Sequence, residues 1–132
     1  GGKTWTPPAF MAYRPGGPLV DHPRAANFVR RLDEGPFAGR YIYWFHNHAG
    51  RNYEGRNPAY LLGGVERDAP EGKVIHWGYP VAVLFSKDPK VRISYPDFIW
   101  DDGLYITETQ KTVARVHRIP EELLRALWRE EP

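Results

Sequence analysis

The stretch from Arg92 to Lys111 constrains this chain most. Ile93, Tyr95, Phe98 and Ile99 favour an extended backbone, and so do Leu104, Tyr105, Ile106 and Thr107. Between the two runs stands Asp102-Gly103. Glycine accepts positive φ without steric cost, so this dipeptide turns the chain back on itself and the stretch reads as a β-hairpin. The same hairpin carries Tyr95, Asp97, Glu108 and Lys111, more reactive polar groups than a purely structural hairpin needs. The plain structural alternative stays open, because exposed charge is the ordinary state of such residues.

The rest of the chain follows the same idiom. Arg40–His48 is the most strand-like run, and its density of aromatics predicts a strand buried on both faces. Pro58–Glu66 reads as a second strand, Val74–Phe85 as a third extended segment broken by Gly78 and Pro80, and Val113–Arg118 as the last strand. Residues 6–39 are punctuated by prolines and glycines and read mostly as loop, with a short helical turn around Ala25–Leu32. Only Pro120–Glu131 reads as a regular helix: proline suits the first helical position, Glu121 and Glu122 suit the positive end of the helix dipole, and Leu123, Leu124, Leu127 and Trp128 form one apolar face. The class is therefore all-β with a short C-terminal helix.

Charge and cysteine content narrow the function. Eighteen basic side chains stand against sixteen acidic ones with no Lys/Arg run, which argues against a nucleic-acid partner. The absence of cysteine excludes disulfides and thiolate metal sites, and no apolar run is long enough to insert in a membrane. His46 and His48 are two apart, so on a strand they share a face and could present two imidazoles to a metal, with Glu54 as a third ligand. The competing reading, a polar rim that contacts sugar through Asn47, His48 and Arg51, is preferred, and no metal or other cofactor is assigned. Trp44 and Trp77 are expected in the core, while Trp100 is a candidate for stacking on a sugar face.

Several motifs together carry a resemblance. Gly2, Thr4 and Trp5 match the last positions of an Asp box, Ser-x-Asp-x-Gly-x-Thr-Trp, in which glycine permits a tight turn and tryptophan packs beneath it. With Arg56-Asn57-Pro58 and with Ser94-Tyr95-Pro96-Asp97 leading to Glu108, the chain resembles the C-terminal part of bacterial sialidase-like proteins with Asp-box (BNR) repeats, which are six-bladed β-propellers. A blade has four strands, so the chain would hold about two blades of such a propeller. Residues 1–39 would be a half Asp box and loop-rich lead-in, 40–91 one blade, 92–119 the strands of the last blade, and 120–131 the helix. The remaining blades are expected upstream in a parent chain, and the family implies an extracellular or periplasmic location.

The resemblance also implies chemistry. Arg56 stands where the family has an arginine, Tyr95 where it has its nucleophilic tyrosine, and Glu108 where it has a glutamate that holds one of the arginines. Two departures from the pattern are proline rather than serine after Tyr95, and a shorter interval to Glu108. An arginine fork grips the carboxylate of a sialic acid, and a neutral phenol approaches that anionic sugar without the repulsion a carboxylate would feel. A nearby base must take the phenol's proton. In the family that base and the general acid come from earlier blades, so a glycosidase of this kind would be inactive as this stretch alone. His46, His48, Arg51, Asn57, Asp97 and Lys111 are the candidate substrate contacts. Two rivals remain: a propeller that binds carbohydrate or protein without hydrolysis, and a self-sufficient small β domain with a C-terminal helix.

Overall fold

A computed structural model of the chain describes residues 2–23, 25–50 and 55–129. Among these residues eight strands precede one helix: β1 (Phe28–Arg31), β2 (Tyr41–Phe45), β3 (Ala59–Ala69), β4 (Gly72–Trp77), β5 (Val81–Leu84), β6 (Ser94–Trp100), β7 (Leu104–Gln110), β8 (Val113–Arg118) and α1 (Glu121–Ala126). Every strand pairing is antiparallel. The all-β reading therefore holds, with the helix confined to the C-terminal end.

In the first sheet the order is β1-β2-β3-β4, with β5 also on β3. The eleven residues of β3 make this possible. Gly64–Ala69 pair with β4 and Ala59–Leu61 pair with β5, so the two strands share one edge of β3. Gly78, Tyr79 and Pro80 separate them, as expected where proline removes a ladder donor. The second sheet is the plain meander β6-β7-β8.

As its aromatic content predicts, β2 is buried on both faces, and alternation distributes its side chains. Ile42 and Trp44 join Leu61, Ile93, Phe98, Leu104 and Ile106 in a core shared by both sheets. Tyr43 and Phe45 go to the other face with Leu62, Trp77 and Val20. Residues 11–20 cover that second face. Met11 O accepts from Val20 N–H at 2.9 Å, Pro18 O from Tyr13 N–H at 3.0 Å, and Tyr13 O from Trp77 N–H at 2.8 Å.

Two local expectations are corrected. Residues 28–31 form a strand rather than a helical turn: the apolar pattern there is too short to fix a period, and the edge of β2 supplies the hydrogen bonds that decide it. Arg30 of β1 then reaches the second sheet, donating to Phe98 O at 2.6 Å and pairing with Asp97 at 2.9 Å. The half Asp box is not built as a hairpin turn. Trp5 is 86% exposed and no strand forms over residues 3–11, so the tryptophan has nothing to pack beneath.

The helix ends at Ala126, earlier than the apolar pattern suggests, and a turn carries Leu127 and Trp128 onto the core. Pro120 O accepts from both Leu123 and Leu124 N–H at its start. Gly63 makes the close approach possible, since a Cβ there would stand 2.5 Å from Leu127 O. Trp128 Nε1 donates to Gly64 O at 3.2 Å, and its ring stacks on Phe37 with centroids 5.0 Å apart. Among the described residues no helix is long and apolar enough to cross a membrane.

Candidate functional site

The corner between β2, the approach to β3 and the start of β6 gathers the main candidates. Ile93 N–H donates to Arg56 O at 2.9 Å, tying the segment before β6 to the segment before β3. Arg56 Nη1 donates to Ser94 Oγ at 3.0 Å, and the guanidinium carbon lies 5.9 Å from the centre of the Tyr95 ring. That is within the range of a cation–π contact. Arg56 and Tyr95, far apart in the chain, thus meet.

Tyr95 is presented in an unusual way. In the β6–β7 ladder Ser94 pairs with Thr109 and Asp97 with Thr107, so Tyr95 and Pro96 together oppose Glu108. This two-against-one register is a β-bulge, a device that re-aims a side chain. Tyr95 sits at φ 52°, in the left-handed region, which costs a bulky non-glycine residue on the order of 1–3 kcal/mol. Its ring is 65% exposed. Backbone strain of this kind clusters at working sites.

Glu108 faces the other way, into the protein, and is only 1% exposed. Its Oε1 accepts from Arg115 Nη1 at 3.1 Å and from His117 Nε2 at 3.2 Å. The β7–β8 register explains both contacts, since Glu108 is directly opposite Arg115 and His117 is two residues further along the same face. The arginine that Glu108 hydrogen-bonds is Arg115, its neighbour on β8. Neither Arg115 nor His117 was singled out from sequence. The signal was available: a two-residue turn at Lys111-Thr112 pairs Gln110 with Val113, and counting back puts Arg115 across from Glu108.

His46 is buried just behind Arg56. Its Nε2 donates to Ile93 O at 2.7 Å, and its ring meets Trp44 edge-on. Burial pushes its pKa below 6.5, the hydrogen bond to Ile93 O opposes that shift, and the nearby Arg56 and His48 reinforce it. The unfolded chain therefore binds a proton at this ring more readily than the folded chain does. The stability that follows is complete above about pH 6.5 and is lost as pH falls below it toward the folded pKa. Replacing His46 with glutamine, which keeps a donor for Ile93 O, is expected to flatten this acid limb. Melting temperatures of the two proteins from pH 7.5 down to pH 4.5 check it, and parallel profiles would exclude His46 as the source.

The remaining candidates do other work. His48 Nε2 donates to Gly55 O at 2.7 Å while its Nδ1 accepts from Gly50 N–H at 3.0 Å, so the ring ties Gly50 to Gly55. Asn57 holds the segment after β5, with Nδ2 donating to Ser86 O and Oδ1 accepting from Ser86 N–H. Asp97 is taken up by Arg30 and by Phe98 N–H. Lys111 lies at the exposed β7–β8 turn, with φ 51°. Arg51 and Glu54 lie outside the described residues, and among the described residues no three His, Asp or Glu side chains group as metal ligands. Trp100 is half-buried against the core, while Trp44 and Trp77 are buried within the two clusters. The structure thus brings Arg56, Tyr95 and His46 to one corner, while Asp97 is paired with Arg30 and Lys111 stands at an exposed turn. Compared with family models, with curated proteins and with solved structures, the chain matches none.

Proposed function

We propose that the Arg56–Tyr95 corner binds an acidic glycoside, and that the chain is part of a sialidase-like glycoside hydrolase in which Tyr95 is the nucleophile. The observation that carries this reading is the meeting of the two residues: a guanidinium 5.9 Å from the ring of an exposed tyrosine, with that tyrosine projected by a strained bulge. An arginine anchored by Ser94 offers a directional grip on a carboxylate, and an aromatic ring beside it suits the apolar face of a sugar. The antiparallel runs β1-β2-β3-β4 and β6-β7-β8 are compatible with propeller blades, although β5 is an addition a simple four-stranded blade does not have. Location outside the cytoplasm belongs to the same reading.

A second reading, carbohydrate binding without hydrolysis, is favoured by one specific observation. Among the described residues no carboxylate hydrogen-bonds the Tyr95 hydroxyl, and a nucleophilic phenol needs a base. Titration of the protein with a methyl α-sialoside and with an uncharged methyl galactoside tests the binding common to both readings. The sialoside is expected to bind and the galactoside not. Arg56→Lys, which loses the fork, is expected to weaken the sialoside about tenfold. Equal affinity for the two sugars overturns the assignment. An aryl sialoside then separates the readings. In any preparation that turns it over, Tyr95→Phe abolishes turnover while the melting temperature is unchanged, and normal turnover by that variant removes the nucleophile role.

A further inference from the structure

A cavity of about 390 Å³ opens between β5, the segment that follows it, and the inner face of β7 and β8. Neither Arg56 nor Tyr95 lines it: Ser94 anchors Arg56, while the preceding Ile93 turns into this cavity. Val83, Leu84, Val91 and Ile93 form its apolar side, Ser86, Glu108, Arg115 and His117 its polar side, and the exposed Phe85 also lines it. The volume is well above the roughly 150 Å³ that houses a bare benzene ring.

The polar end of this cavity is Glu108, and its two oxygens differ. Oε1 accepts from Arg115 and from His117. Oε2 is equally buried and, among the described residues, has no hydrogen-bond partner. A buried acceptor without a donor costs about 1–3 kcal/mol, so any ligand that brings a donor to it gains that much in selectivity over one that does not. Charge narrows the choice. Arg115 already offsets the carboxylate, so a second cation would meet the guanidinium, and an anion would meet Glu108 itself. An uncharged hydroxyl fits both limits, donating to Oε2 and still accepting from the remaining N–H groups of Arg115.

We propose that this cavity binds a compact uncharged phenol or aromatic alcohol, its ring against Val83, Leu84, Val91 and Ile93 and its hydroxyl on Glu108 Oε2. The proposal is independent of the sugar site. The test uses four probes on the intact chain, followed by calorimetry and by amide shifts: p-cresol, toluene, benzylamine and p-toluate. The expected result is saturable p-cresol binding in the millimolar range or tighter, with shifts centred on β5 and β8. Toluene, lacking the donor, is expected to bind at least tenfold more weakly, and the amine and carboxylate more weakly still. Val91→Phe, which fills the cavity from its wall without touching the ion pair, is expected to remove p-cresol binding. Toluene binding as tightly as p-cresol would show a merely apolar hole and overturn the role of Glu108. Preference for benzylamine, absence of p-cresol binding, or p-cresol binding that survives Val91→Phe would overturn the proposal.

Discussion

Replacing Trp128 with alanine is expected to destabilise the protein by about 3–5 kcal/mol, the range for truncating a large buried aromatic. The expectation rests on how much converges on this side chain. It stacks on Phe37, donates to Gly64 O, carries the Arg40 guanidinium 5.4 Å from its ring, and closes the end of the core shared by both sheets. Its loss also leaves Gly64 O without that donor in a buried place. Denaturant unfolding checks the value: the midpoint should fall with little change in the slope. A loss below about 1 kcal/mol would mean that the C-terminal segment is an ornament on a fold complete without it.

The second large effect is expected at Glu108. Its alanine variant removes a buried acceptor and leaves Arg115 and His117 without the carboxylate they share. Breaking a buried ion pair from one side costs about 3–5 kcal/mol, and the lower end applies here because Arg115 is partly exposed and can turn toward water. By contrast Lys73, which pairs with Asp68 at the surface, should tolerate replacement with little change. Urea melts of the two variants make the comparison. Equal, small effects would show that the Glu108 cluster is solvated in practice and that its carboxylate does not depend on its partners. His117 adds a control, since its removal leaves Arg115 still paired and is expected to cost less than the loss of Glu108.

How much of this was legible beforehand differs from element to element. The double burial of β2 could be read because aromatics occupy both of its alternating sets. The hairpin at Asp102-Gly103 could be read because so few residues accept the backbone it needs, and there Asp102 and Gly103 both take positive φ. The start of the helix was marked by Pro120. By contrast β1 was hidden, because four residues cannot establish a period and its partners lie ten to sixteen positions away. That β4 and β5 would share one edge of β3 was equally hidden, since length alone made β3 able to serve both. In the site, the meeting of Arg56 with Tyr95 was anticipated only through a resemblance, and their contact depends on long-range register that local pattern does not encode. The partners of Glu108 were within reach of simple counting from the β7–β8 turn.

The bulge at Tyr95-Pro96 has a consequence for chain length as well as for shape. Ile93 and Phe98 are five residues apart, an odd interval that ordinary alternation would send to opposite faces, yet both lie in the same core. The extra residue restores the phase between them. Residues 95 and 96 therefore act as a spacer that keeps the reading frame of the sheet, and their number matters to the core more than their identity does. Substitutions there alter what is displayed at the surface, whereas an insertion or deletion of one residue would exchange inside for outside along everything that precedes it in the strand. A position bearing the candidate chemistry is thus one whose count, more than its side chain, the core depends on.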